Sequence, residues 1–217
     1  AGQIDLPRGV RCALGSETIT TGEIAALARV TRDRDAALTI LFARLVQREA
    51  ASVVAGDVRA AERAIVRRRF GGVRGQYLAA LRRAGASPQI ALGAIADELR
   101  REALLVRLRA AAPSAAEIAE FAATYAPVPL RDIPGAGEVA GLDPATPLGL
   151  LPAELARPVI LRALRHAARA ERYAGWAERR QERALDRIRC TRDRLPAIGA
   201  APLTSWMPFL VPLAGSS

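Results

Sequence analysis

Residues 36–46 read Ala-Ala-Leu-Thr-Ile-Leu-Phe-Ala-Arg-Leu-Val. On a helix, Leu38, Ile40, Leu41, Phe42, Leu45 and Val46 leave almost no polar face. A helix that is apolar all round is buried on most sides, so this stretch is expected to be the central helix of the core. Asp33 or Asp35 suits its start, and it is expected to run to about Val54. Upstream, Thr20 or Thr21 can cap a short helix over 21–31 with Glu23 in its first turn. Further upstream, two strand-like runs, 10–14 and 17–20, flank Gly15-Ser16 at the spacing of a small hairpin.

Downstream the helical pattern continues. Gly56 and Asp57 mark the end of one helix and the cap of the next, which reaches Phe70, and Gly71-Gly72 breaks the chain. Another helix covers 73–84 and closes at Gly85. Ser87 and Pro88 stand at the favoured cap and first positions of a helix to about Arg109. Its expected buried stripe is Leu92, Ile95, Leu99, Ala103 and Val106, with Asp97 pairing Arg101 on the exposed side. Ser114 and Glu117 form a capping box for a helix through Ala123. Six prolines and four glycines over 126–152 read as a loop or linker. A long helix is then expected from about Ala153 to Arg189, and 191–217 reads as a tail with an apolar cluster that includes Leu203, Trp206, Met207, Phe209, Leu210, Val211 and Leu213. Hydrophobic residues make up 51% and aromatics 4%, and an Ala- and Leu-rich core with few rings suits packed helices better than a sandwich or barrel. The fold class is therefore mainly α, with a short N-terminal β-hairpin and a long C-terminal helix.

The chemistry-bearing residues exclude more than they offer. One histidine, His166, gives a Ser or Cys nucleophile no convincing base. One His and two distant Cys make no typical zinc site, and the glycines match neither a phosphate loop nor a dinucleotide fingerprint. No catalytic residue, metal ligand or cofactor is assigned. Cys12 and Cys190 lack redox or zinc spacing; they are either two unrelated small apolar residues or one disulfide that would place the protein outside the cytoplasm. No run approaches the length of a membrane span. The sequence opens at Ala1 without Met, and the expectation is a form that starts after something was removed.

The net charge is +10, and all 32 basic residues other than His166 are arginine. Such a balance attracts acidic partners, anionic membrane surfaces and nucleic acid. Residues 20–38 have the outline of a helix-turn-helix, and Arg162, Arg165, Arg169, Arg172, Arg179, Arg183 and Arg187 make a ridge that would suit phosphates. Against this nucleic-acid alternative, the would-be recognition helix becomes almost wholly apolar after Asp35 and cannot lie in a groove while buried.

The order of motifs resembles the chaperone domain of SurA/PrsA-type foldases. The run Val10-Arg11-Cys12-Ala13-Leu14-Gly15-Ser16-Glu17-Thr18-Ile19-Thr20-Thr21-Gly22-Glu23 is similar to that family's opening strand pair, with Leu14 where Asn is usual. Ile40-Leu41-Phe42-Ala43-Arg44-Leu45-Val46-Gln47-Arg48-Glu49-Ala50 resembles its next helix, and 58–62, 81–99 and 113–121 resemble later motifs in order. The resemblance implies an irregular multi-helix chaperone domain formed by 1–125 and 153–190, in which the long helix returns to the N-terminal half. Residues 126–152 then mark the place of a missing parvulin isomerase domain, and 191–217 is an apolar tail. It implies binding of unfolded or extended polypeptide clients without isomerase activity, in an extracytoplasmic setting. Phe70, Tyr77, Tyr125, Tyr173 and Trp176 are the candidate groove residues, although aromatics at helical spacing normally face inward and pack in a core. Further expectations are self-association through the tail and peripheral contact with an anionic membrane surface; nucleic acid is disfavoured.

Overall fold

A computed structural model describes residues 6–108, 111–136, 142–191 and 195–210. Seven α-helices and a small antiparallel sheet are present among the described residues. The hairpin forms as its turn chemistry predicts: β1 (Val10–Leu14) pairs with β2 (Glu17–Thr20) around Gly15, whose φ is 59°. Thr20 then caps α1 (Thr21–Thr31), its hydroxyl accepting from the Glu23 amide while the Glu23 carboxylate accepts from the Thr20 amide. Arg32, at φ 57°, ends α1 in the left-handed conformation, and Asp33 accepts from the amides of Asp35 and Ala36 to start α2 (Arg34–Arg48).

The core is built on α2, which buries Ala37, Leu38, Ile40, Leu41, Phe42, Ala43, Leu45 and Val46. That eight of fifteen positions are buried is the outcome expected of a helix without a polar face. Two boundaries differ from the sequence reading. The helix ends at Arg48 rather than near Val54, in a turn where the amides of Ala50 and Ala51 both donate to the Gln47 carbonyl and Ala51 is buried. The next helix, α3 (Ala55–Phe70), begins before Gly56 and Asp57, which stand in its first turn instead of ending one helix and capping another.

Helices α4 (Arg74–Arg83) and α5 (Pro88–Arg107) follow. The backbone of Gly85 passes so close to α1 that an added Cβ would lie 2.7 Å from the Arg29 carbonyl oxygen. The buried stripe of α5 is rotated from the expected one. Ala91, Ala94, Ile95 and Glu98 are buried, whereas Val106 is exposed. Asp97 does not pair with Arg101. It accepts from Arg44 Nε at 2.7 Å and from Arg100 at 2.9 Å, while Arg101 binds Glu98. Gly93 makes room for this arrangement: an added Cβ there would sit 3.3 Å from the Arg44 guanidinium. Small residues on α5 thus let α2 approach closely enough for its arginine to reach the carboxylate.

Capped by the box of Ser114 and Glu117, α6 (Ala115–Tyr125) precedes the Pro/Gly-rich stretch. That stretch is not a bare linker. Two arms of it run antiparallel around the Pro129–Pro147 bridge, with Leu130 N donating to Thr146 O, Leu148 N to Val128 O and Gly149 N to Ala126 O. Leu130, Ile133, Ala136 and Leu148 are buried against Val159, Ile160 and Ala163 of α7 (Ala153–Leu185). Backbone pairing satisfies polar groups that a packed loop would otherwise leave unpaired. Gly135, at φ 76°, lies against His166, and a Cβ there would meet the His166 Cβ at 2.4 Å.

The long helix stops at Leu185, four residues short of the expected end. Arg189–Cys190 instead form a third strand, β3, on the free edge of β1, in sheet order β2-β1-β3. Cys12 and Cys190 are directly opposed and joined in a disulfide. The Thr191 amide donates to the Arg11 carbonyl, so the cysteines occupy the neighbouring non-hydrogen-bonded pair, where opposed Cα atoms come closest.

The chain divides into two compact units, Ala1–Leu104 with Gly175–Ser217, and Leu105–Ala174. The last third of α7, from Gly175, therefore belongs with the N-terminal residues, and Ala184, Leu185 and Ile188 pack in the same cluster as Cys12, Leu14 and Phe42. The tail joins that cluster through Leu203, Met207 and Leu210, while Val211 and Leu213 lie outside the described residues. No described helix is long and apolar enough to cross a membrane.

Candidate polypeptide-binding surface

The five aromatic candidates fall in different places. Phe70, Tyr77 and Trp176 belong to the first unit, Tyr125 and Tyr173 to the second. Phe70 ends α3 and is half-buried. Its ring meets Tyr77 edge-on at 5.6 Å and Phe209 of the tail edge-on at 6.0 Å. Edge-to-face contacts at these separations are favourable, so the three rings form one cluster. Within it Tyr77 has no exposed surface and is closed to any client. Trp176 is half-buried, with the Arg180 guanidinium 5.8 Å from its ring centroid. Tyr173 is half-buried as well.

The environment of Tyr77 was not visible in the sequence. Its hydroxyl is buried and makes no hydrogen bond of good geometry, although the Glu62 carboxylate lies close enough to draw on it. Glu62, itself buried, lies nearby with Arg74 at 3.9 Å. Burial, and after it the charge of Glu62, push the Tyr77 phenol well above the ordinary phenol range. Below about pH 10 the phenol is neutral in both states and stability does not depend on pH through it; above that, ionisation in the unfolded chain opposes burial and stability falls as pH rises. Tyr77→Phe should remove this alkaline loss and the last step of the tyrosinate absorbance titration. At neutral pH its stability should be unchanged or higher by about 1 kcal/mol, because an unsatisfied buried hydroxyl is deleted. A clear loss of stability at neutral pH would mean that the hydroxyl is bonded.

In the second unit Tyr125 stacks on Phe121 across one turn of α6, with ring centroids 4.3 Å apart and planes inclined by 18°. Helix α6 is apolar at eight of its eleven positions, five of them alanine, yet none of its residues is fully buried. Ile118, Phe121, Ala122 and Tyr125 are half-covered by the cluster around Leu130 and Val159. The turn over 148–150 packs on α6. It presents Leu150 at 75% exposure, and Leu155 at the start of α7 is 40% exposed. Only Tyr125 of this group was singled out in the sequence. Phe121 stands four residues earlier, the spacing that places two side chains on one helix face, and was the available signal. Chemically the patch offers flat aromatic surface and branched apolar side chains, which suit contacts that do not depend on a client's sequence.

Among the described residues no three His, Cys, Asp or Glu side chains gather as a metal site. The arginine ridge of the sequence is present on α7 and just beyond it: Arg162, Arg165, Arg169, Arg172, Arg179, Arg183 and Arg187 are all exposed. Arg162 also donates to the Ala136 carbonyl at 2.9 Å. Comparison of the chain with protein-family models, with curated proteins and with solved structures found no match.

Proposed function

We propose that the protein is an extracytoplasmic, foldase-like module that holds unfolded or extended polypeptide without catalysing prolyl isomerisation. The observation that carries this reading is the half-open face of α6, where Phe121 and Tyr125 stack beside the exposed Leu150. Apolar surface left in water at this density favours association with other apolar groups. The cross-strand disulfide supports an oxidising compartment, and the resemblance of the motif order to that of SurA/PrsA-type foldases supports the chaperone role. Arginine stems around such a surface cover apolar groups while their guanidiniums stack on client rings or pair with client acids.

The test is light scattering from a thermally unfolding client enzyme mixed with the intact chain. Scattering should fall in proportion to added protein, and a prolyl-isomerisation assay with the same sample should stay at the uncatalysed rate. Leu150→Glu combined with Leu155→Glu should abolish most of the protection and leave the melting temperature within a few degrees, since both side chains are exposed. Scattering that is unchanged by a several-fold excess of the unsubstituted chain would end this reading.

A further inference from the structure

The densest positive charge on the molecule lies on α3 and α4, not on the long helix. Residues 55–86 hold eight arginines against two carboxylates, Asp57 and Glu62. That segment therefore supplies an excess of six positive charges where the whole chain has ten. All eight arginines are exposed, whereas Glu62 is buried and Asp57 stands in the first turn of α3. Arg59, Arg63 and Arg67 follow one another at four-residue steps along a face that flanks the buried line of Val58, Glu62, Ile65 and Val66. Arg68 and Arg74 flank the Gly71-Gly72 turn, and between them Val73 is 49% exposed; Val54, before α3, is 69% exposed.

We propose that this arginine face and its valine-tipped turn dock on the anionic headgroups of a lipid surface. Three observations favour lipid over nucleic acid. Exposed valines gain from an interface in which acyl chains are within reach, and gain nothing from a phosphodiester backbone. The aromatic rings of this hairpin, Phe70 and Tyr77, are engaged with each other and with Phe209, so none stands free to stack on bases. The disulfide fits a compartment in which the common polyanion is the membrane surface.

The experiment is co-sedimentation of the full chain with vesicles of phosphatidylcholine alone or mixed with phosphatidylglycerol. Binding is expected only to the mixed vesicles, with release as salt is raised. Arg59→Glu, Arg63→Glu and Arg67→Glu together should weaken it roughly a hundredfold. Arg165→Glu, Arg169→Glu and Arg172→Glu together, the same number of reversals on the long helix, should leave it within about threefold. Val73→Ser, which alters no charge, should still weaken it several-fold. If the triple variant does not fold by circular dichroism, the corresponding Gln substitutions replace it. No binding to mixed vesicles, equal loss from the long-helix variant, or tighter binding to a duplex oligonucleotide than to the vesicles would each overturn the proposal.

Discussion

Replacing Cys12 and Cys190 together by alanine should lower the stability of the protein by about 5 kcal/mol, from the chain entropy released by opening so long a loop. The cysteines are 178 residues apart in sequence and directly opposed in space. For a chain of this size the loss corresponds to a fall in melting temperature on the order of 10–20 °C. The bond is the main tie on β3, which has only two residues and two cross-strand pairs. The Thr191 amide, donating to Arg11 at 2.9 Å, should therefore lose its protection from hydrogen exchange before the amides of α2 do. The chain carries no free cysteine, so the denatured, unreduced protein should give no thiol signal. Equal melting of the reduced and oxidised forms would show that Ala184, Leu185 and Ile188 hold this end of the chain without the bond.

What could be read in advance divides by the kind of signal. The hairpin, both capping boxes and the central helix are local events, in which neighbouring residues carry the whole physical cause. The third strand has no such cause: Arg189 and Cys190 are too few to show a period, and only the position of Cys12 gives them a partner. The stretch 126–152 was legible as turns but not as a core, because proline and glycine report backbone conformation and say nothing of burial. Leu130, Ile133 and Leu148 form no sustained helical or strand period, and they are buried where two irregular arms pair their backbones. The aromatic candidates failed to separate for a related reason. Helical spacing places Tyr77 on an inward face and Tyr125 on a half-open one with equal ease, and what differs is which element covers each. For Tyr77 that includes the tail, more than a hundred residues later in the chain, through Phe209 and Phe70.

The pairing of Arg44 with Asp97 shows the same limit and has a large expected consequence. On α5 alone, Asp97 and Arg101 stand four apart and invite an exposed pair. The fold instead turns Asp97 toward α2, where it accepts from Arg44 and Arg100. The Arg44 and Arg100 side chains are only 13% and 14% exposed. Burial pushes the Asp97 carboxyl above the usual carboxylate range, opposed by Arg44 and then Arg100. Removing the carboxylate leaves two guanidiniums in a poorly hydrated place, and one Arg44 nitrogen, Nη2, is already buried without a partner. Asp97→Ala should therefore cost about 3–5 kcal/mol, well beyond the loss of one ordinary hydrogen bond. Asp97→Asn keeps the shape and some acceptor capacity and should cost less. Arg44→Met with Asp97→Leu deletes both charges at once and should recover much of the Asp97→Ala loss, since apolar replacements of a buried pair are often neutral. Denaturant unfolding of the parent and the three variants measures these differences. An Asp97→Ala variant within about 1 kcal/mol of the parent would place the pair in water, and the close packing of α2 against α5 through Gly93 would need another explanation.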